Sequence, residues 1–291
     1  MRRPRTTEAP RFPIEIKWNR LAAPGVCLLV AGVVAPVLLL AVYSVFHDGA
    51  NGEVVGAASL SNYAAILSDP FYLKVLGDTV LLGLAVTVAC ACLGYPLAYF
   101  LARTTSRWRP VLMFLMITPL LISSVIRNIG WIPILGDHGA LNTLLLTIGV
   151  TRSPIALMNN FTGVVIALVH ALLPYMTLLL MTVIRAIGSD IEEAAKNLGA
   201  SPWWSFWKVV FPLSRRGLAA GCALVFTITV SSYTTPTILG GGRVLVMATF
   251  IAQQIQTVMH YALGSAFAIV LFLVAVGLST LASRWLERSE V

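Results

Sequence analysis

Runs of roughly twenty predominantly apolar residues recur along this chain, and each is long enough to cross a bilayer as a helix. Lipid supplies no hydrogen-bond partners, so a spanning segment must satisfy its backbone internally, as a helix does. Six such runs are read at 21–46, 75–101, 111–126, 161–184, 217–239 and 261–285. Of the 291 residues, 58% are hydrophobic and only 11% charged, whereas a soluble domain is about one-quarter charged. The expected fold class is an all-α polytopic membrane protein with six transmembrane helices.

The basic residues orient it. With the N-terminus inside, all Lys and Arg but Lys74, Arg127, Arg152 and Arg243 fall on the inner side, the asymmetry that marks cytoplasmic loops. Both termini are then cytoplasmic, with a tail over 1–20, a membrane domain over 21–286 and a tail over 287–291. The net charge of +8 resides in these short segments, so no nucleic-acid partner is expected. The first apolar run is longer than a signal peptide's core, and no small-x-small cleavage site stands out; it is read as an uncleaved span. Cys27, Cys90, Cys92 and Cys222 lie in apolar stretches without metal spacing and read as core residues with no disulfide.

One inner segment, 189–213, is too polar to span. Ser189 with Glu192 forms a capping-box pattern, and Gly199 stands at the place of a helix-terminating residue. Ser201 and Pro202 restart a helix, and Pro212 is expected to close the unit. Trp203, Trp204, Phe206 and Trp207 place four large aromatics within five positions. Such a cluster lies at headgroup level or fills a cleft on a partner protein.

Glu193, Ala194, Ala195, then Gly199, then Phe206, Val209 and Pro212 resemble the cytoplasmic EAA loop of permease subunits of binding-protein-dependent ABC importers. The resemblance reaches about residues 70–280. Arg127, Trp131, Leu135, Gly136, Gly139, Asn142, Pro174, Thr234, Thr235, Pro236, Leu239, Gly240, Gly241, Gly264, Ser265 and Ala266 resemble its spermidine/putrescine branch. It implies a type I importer permease with a coupling helix between spans four and five, in the inner membrane. It also implies a cytoplasmic ATP-binding subunit dimer, a second permease subunit (the same chain or another) and an extracytoplasmic solute-binding protein. In that scheme ATP closes the ATPase dimer, and the loop tilts spans three to six to open an outward path. Glu193 is the candidate charge contact, Gly199 the turn, and Trp203 to Trp207 the anchor.

The residues set their own limits on function. No Gly-x-x-x-x-Gly-Lys-Ser/Thr string occurs, so ATP is expected only on partner subunits, with no cofactor on this chain. No His-Glu-x-x-His or Gly-x-Ser-x-Gly pattern suggests an enzyme, and no metal site is expected. Polar residues inside spans are costly in lipid and mark pathway candidates. These are His170 and Tyr175 beside Pro174, which is expected to break span four; Tyr233, Thr234 and Thr235 in the hydroxyl run of span five; and Arg127, Asn128 and Trp131 at an outer edge. For each, ordinary packing or interfacial anchoring is the competing reading. Asp78 is the one acid within the spans, which is sparse for a cation path. Alternative readings are a permease for an iron chelate, sulfate or thiamine, or a secondary transporter without an ATPase, although no ion relay or inverted repeat is visible.

Overall fold

The structure is a computed structural model that describes residues 18–49 and 53–287. The tails expected at 1–20 and 287–291 therefore fall almost wholly outside the described residues. The elements run α1 (Trp18–Ser44), a hairpin of β1 (His47–Asp48) and β2 (Val54–Val55), α2 (Ser61–Ser68), α3 (Pro70–Arg103), α4 (Arg109–Leu121), α5 (Ser124–Leu135), α6 (Ala140–Thr147), α7 (Phe161–Ala186), α8 (Asp190–Asn197), α9 (Pro202–Ser205), α10 (Phe211–Val230), α11 (Thr234–Leu239), α12 (Met247–Gln253) and α13 (Tyr261–Glu287). Two π-helical turns, Phe206–Val210 and Gln254–Val258, follow α9 and α12.

Five of these helical stretches are long and apolar enough to cross a membrane, and α4 with the helix after it makes a bent sixth. The bundle is built on α3, α7 and α10, which pack on one another, with α13 against α10 and α1 against α13. Small residues allow the close approach that apolar lipid cannot drive by itself. A Cβ on Gly83 would lie 2.6 Å from the Phe226 ring, and one on Gly217 2.7 Å from Val183. Leu82, Val86, Leu101, Val164, Met176 and Leu180 fill the core between these helices. Outside the bundle, Asn62 donates to the carbonyls of Ser44 and Phe46, and the Asp48 carboxylate accepts from the first amides of α13, Ala262 and Leu263.

The breaks in the spans are where the structure departs from the sequence reading. The third span, expected as a continuous helix over 111–126, stops at Leu121, and its axis turns by 106° before α5. Pro119 removes one rung of the ladder there, and its carbonyl accepts from Arg127 Nη1 at 2.8 Å instead. Pro174 has the opposite outcome: α7 is not broken but runs straight through it. The proline is buried, in a helix that packs on α3 and α10, and burial there offsets a cost of about 3 kcal/mol. Pro212 does not close the loop either. It sits in the first turn of α10, and the π-helical turn just before it accommodates the missing amide, with Phe211 N donating to the Phe206 carbonyl. The fifth span, expected over 217–239, ends at Val230. Ser231 to Tyr233 leave the helix because Pro236 has no N–H for the carbonyl four residues before it. The hydroxyl run, read as part of one continuous span, instead straddles a break between α10 and α11.

Candidate functional site: the inner two-helix loop

The segment from α8 through the first turn of α10 forms a V. Its apex is a left-handed residue, Gly199, at φ +88°, with Ala200 N donating to the Ala195 carbonyl and Gly199 N to that of Lys196. This is the Schellman arrangement, and the backbone there suits glycine alone without strain. The second arm begins as expected, with Ser201 Oγ accepting from Trp204 N and Pro202 in the first turn.

The first arm begins differently. Ser189 makes no side-chain cap, and Glu192 does not reach back to complete a capping box. Glu192 is instead 5% exposed and turned onto the C-terminal end of α3. There Arg103 Nη2 and Nε approach Oε1 at 2.5 and 2.7 Å, and Tyr99 OH donates to Oε2 at 2.9 Å. Arg103 Nη2 also donates to the Gly188 carbonyl at 3.1 Å. A cation with a forked donor set outcompetes a neutral amide for a carboxylate. Sequence reasoning missed this clamp. Its signal was two adjacent acids one helical step apart, so that only one of them can face outward, opposite an arginine ending the neighbouring inner helix end.

The aromatics also divide. Trp203, Phe206 and Trp207 stack among themselves and close, with Tyr95, Tyr99 and Phe211, a cavity of about 630 Å³ against α3. Trp204 lies on the other side of the V. With Ala194, Ala195, Gly199 and Val209 it lines a furrow of about 720 Å³ between the arms. Glu193, Ala194, Gly199, Trp203, Trp204 and Trp207 are exposed, while Pro212 is half-buried at the hinge into α10. The loop is thus clamped to the bundle through Glu192 and leaves small residues and three tryptophans open to a partner.

On the other side of the bundle, Trp131 meets the exposed His170 edge-on at 5.4 Å, and Arg127 lies close enough to His170 and to Tyr175 to act on both electrostatically. Tyr175 and Tyr233 are exposed, and Thr234 is half-buried beside the helix break. Asn128 and Thr235 are buried on each other, with Nδ2 donating to Oγ1 at 3.0 Å. Their side chains fasten α5 to α11 and face no open volume. Asn128→Ala strands the Thr235 hydroxyl and is expected to lower stability by about 1–3 kcal/mol, read as an earlier thermal unfolding midpoint in detergent.

A bent-span helical bundle with an exposed two-helix loop and no nucleotide-binding string of its own defines the membrane subunit of a transporter. The family can be given directly: residues 94–289 match the model of the binding-protein-dependent transport system inner membrane component, and the chain belongs to that family. It is similar to the spermidine/putrescine transport system permease protein PotB of Haemophilus influenzae, 33% identical over 232 residues, 80% of each chain. The PotB of Escherichia coli is 37% identical over 216 residues, 74% of this chain and 78% of that one. A probable molybdenum ABC transporter permease of Haloferax volcanii is 26% identical over 261 residues, 88% of this chain and 87% of that one. Among solved structures, a bacterial alginate ABC transporter in complex with its alginate-bound periplasmic protein superposes with a TM-score of 0.73 at 14% identity, covering 91% of this chain and 92% of that one. The fold is therefore that of type I ABC importer permeases, and the chain is a transport component of a membrane importer.

Proposed function

We propose that this chain is one of two permease subunits of an importer of polyamines, spermidine or putrescine, working by ATP-driven alternating access. Cytoplasmic ATP-binding subunits grip the outer face of the V, and an extracytoplasmic solute-binding protein delivers the cargo to the opposite end. Both termini then lie in the cytoplasm. The observation that carries the coupling reading is the two-sided loop. Glu193, Ala194, Ala195, Gly199 and Trp204 are left to a partner, while Glu192 ties the same helix rigidly to α3. Motion of a gripped loop must then move the bundle, because the clamp leaves it no slack. Phe206 and Pro212 are half-buried and serve that rigidity, while Trp203, Trp204 and Trp207 are exposed and remain the candidate anchor.

Polyamine as cargo rests on the names of the relatives at 33–37% identity. Arg127, Trp131, His170, Tyr175, Tyr233 and Thr234 are the pathway side chains left accessible, and the aromatic faces among them offer sites for ammonium groups. Arg127 and the scarcity of acids suit an oxyanion equally, so the test must separate the two. The reconstituted importer is expected to take up labelled spermidine or putrescine, with uptake competed by unlabelled polyamine and not by molybdate; molybdate uptake without polyamine uptake would overturn the cargo. For the coupling reading, Gly199→Val forces a β-branched residue into the left-handed apex, at a cost of about 1–2 kcal/mol. Uptake per ATP hydrolysed is expected to fall several-fold, and unchanged coupling would count against the handle.

A further inference from the structure

The polar side chains that the sequence reading did not single out gather around the break in the fifth span. Thr249 and Gln253 of α12, with Gln256 and Thr257 of the following π-helical turn, recur at three- and four-residue spacing and share one face. Opposite them stand Tyr233 at the break and Thr237 of α11, and the two faces enclose a cavity of about 230 Å³. The π-helical turn ends at Met259 in a left-handed conformation, with His260 N donating to the Gln254 carbonyl. Insertions of this kind persist mainly at functional sites.

Two hydroxyls of the cavity have already spent their protons. Thr237 gives its hydroxyl proton to the Tyr233 carbonyl at 2.8 Å, and Thr249 gives its own to the Val246 carbonyl at 2.7 Å. Both oxygens can therefore only accept from a guest. The side chains of Tyr233, Gln253, Gln256 and Thr257 have no hydrogen-bond partner in the protein among the described residues, so two amides, each with a carbonyl and an NH2, two hydroxyls and an aromatic face remain on offer. Next to them, Gln254 Oε1 is buried with no donor. A primary ammonium brings three donors and no acceptor, and it is attracted to a tyrosine face. The Gln253 and Gln256 amide nitrogens and the Tyr233 and Thr257 hydroxyls can donate as well, so the choice of an ammonium guest comes from the polyamine reading and from the acceptors that Thr237 and Thr249 add.

The geometry points to this pocket as a transient seat for one ammonium end of the polyamine, a neutral cradle of Thr237, Thr249, Gln253 and Gln256 under the ring of Tyr233. It rests on the polyamine reading above and names the side chains that serve it. No carboxylate lines the cavity. That suits passage, because a charged partner in a partly dry site adds several kcal/mol to holding a cation, while a path must also release it.

The experiment uses the assembled importer in liposomes, supplied with labelled spermidine on its binding protein. Gln253→Ala with Gln256→Ala is expected to lower spermidine uptake per ATP hydrolysed by about tenfold, the equivalent of about 1.4 kcal/mol of seating. Gln256→Glu, nearly isosteric, is expected to keep the complex assembled, as read by co-purification of the ATPase. It should hold the cation longer and so lower maximal uptake while lowering the concentration that half-saturates it. If the wild type takes up polyamine and all variants match it, the pocket inference is overturned and the cargo reading stands. If the wild type takes up no polyamine, the cargo reading falls and the inference falls with it.

Discussion

Replacing Glu192 with alanine is expected to uncouple the importer, leaving ATP hydrolysis running while uptake falls by about a hundredfold. The side chain is 5% exposed, accepts hydrogen bonds from Arg103 Nε and Tyr99 OH and pairs with Arg103 Nη2, so its loss leaves a guanidinium without its counter-ion at the C-terminal end of α3. Breaking a buried pair from one side costs about 3 kcal/mol, and each 1.4 kcal/mol is tenfold in the population of the locked loop. Arg103 keeps some contact with water, its side chain 19% exposed, which places the cost at the lower end of that range. The measurement is uptake per ATP hydrolysed in the assembled complex. Glu192→Gln keeps the shape and one acceptor for Tyr99, and it should lie between the two. Arg103→Leu combined with Glu192→Leu removes both charges and should fold better than either single variant, yet remain uncoupled, since an apolar pair packs without fixing direction. Full coupling in the double variant would show that the clamp is packing alone.

Filling the cleft at Gly83 should lower stability and disturb the packing of α3 on α10. A leucine there must enter space already held by Phe226 and Val230, whose atoms stand 2.6 and 2.8 Å from the position of a new Cβ. The neighbouring side chains belong to the buried end of α10, where α3 and α13 also pack, so they cannot move outward. Overpacking of this kind costs about 1–3 kcal/mol. The expected result is a markedly lower unfolding midpoint in detergent and poor recovery of assembled complex. Phe226→Leu in the same chain opens the ring's volume and should restore much of the loss. A Gly83→Leu chain as stable as the original would mean that α3 and α10 do not approach as described.

Much of the bundle was legible because its causes are local in sequence. Twenty apolar residues must be a helix in lipid whatever surrounds them, and α1, α3, α7 and α13 lie where the apolar runs put them. The apex of the V was equally legible, since a left-handed turn between two capped segments calls for glycine at Gly199. Prolines were not. Pro119, Pro174 and Pro236 carry the same local defect, yet the helix ends just after the first, passes through the second and breaks just before the third. The difference is whether neighbouring helices hold the chain straight, and no window of sequence contains that information.

The same division holds at the candidate site. Composition and periodicity by themselves determined a helical membrane protein with a polar loop between apolar runs, because burying charge in lipid is costly enough to sort residues along the chain. Which of Glu192 and Glu193 turns inward was decided only in three dimensions, when folding brought Arg103 within 2.5 Å of one of them across 89 positions. Likewise the four aromatics stood together in the sequence, but the fold divided them between two cavities, with Trp203, Phe206 and Trp207 lining the one against α3 and Trp204 the furrow between the arms, and only Phe206 among them half-buried. Local physics fixed which segments are helices; the partners of their side chains came from contacts distant in sequence, which a linear reading does not hold.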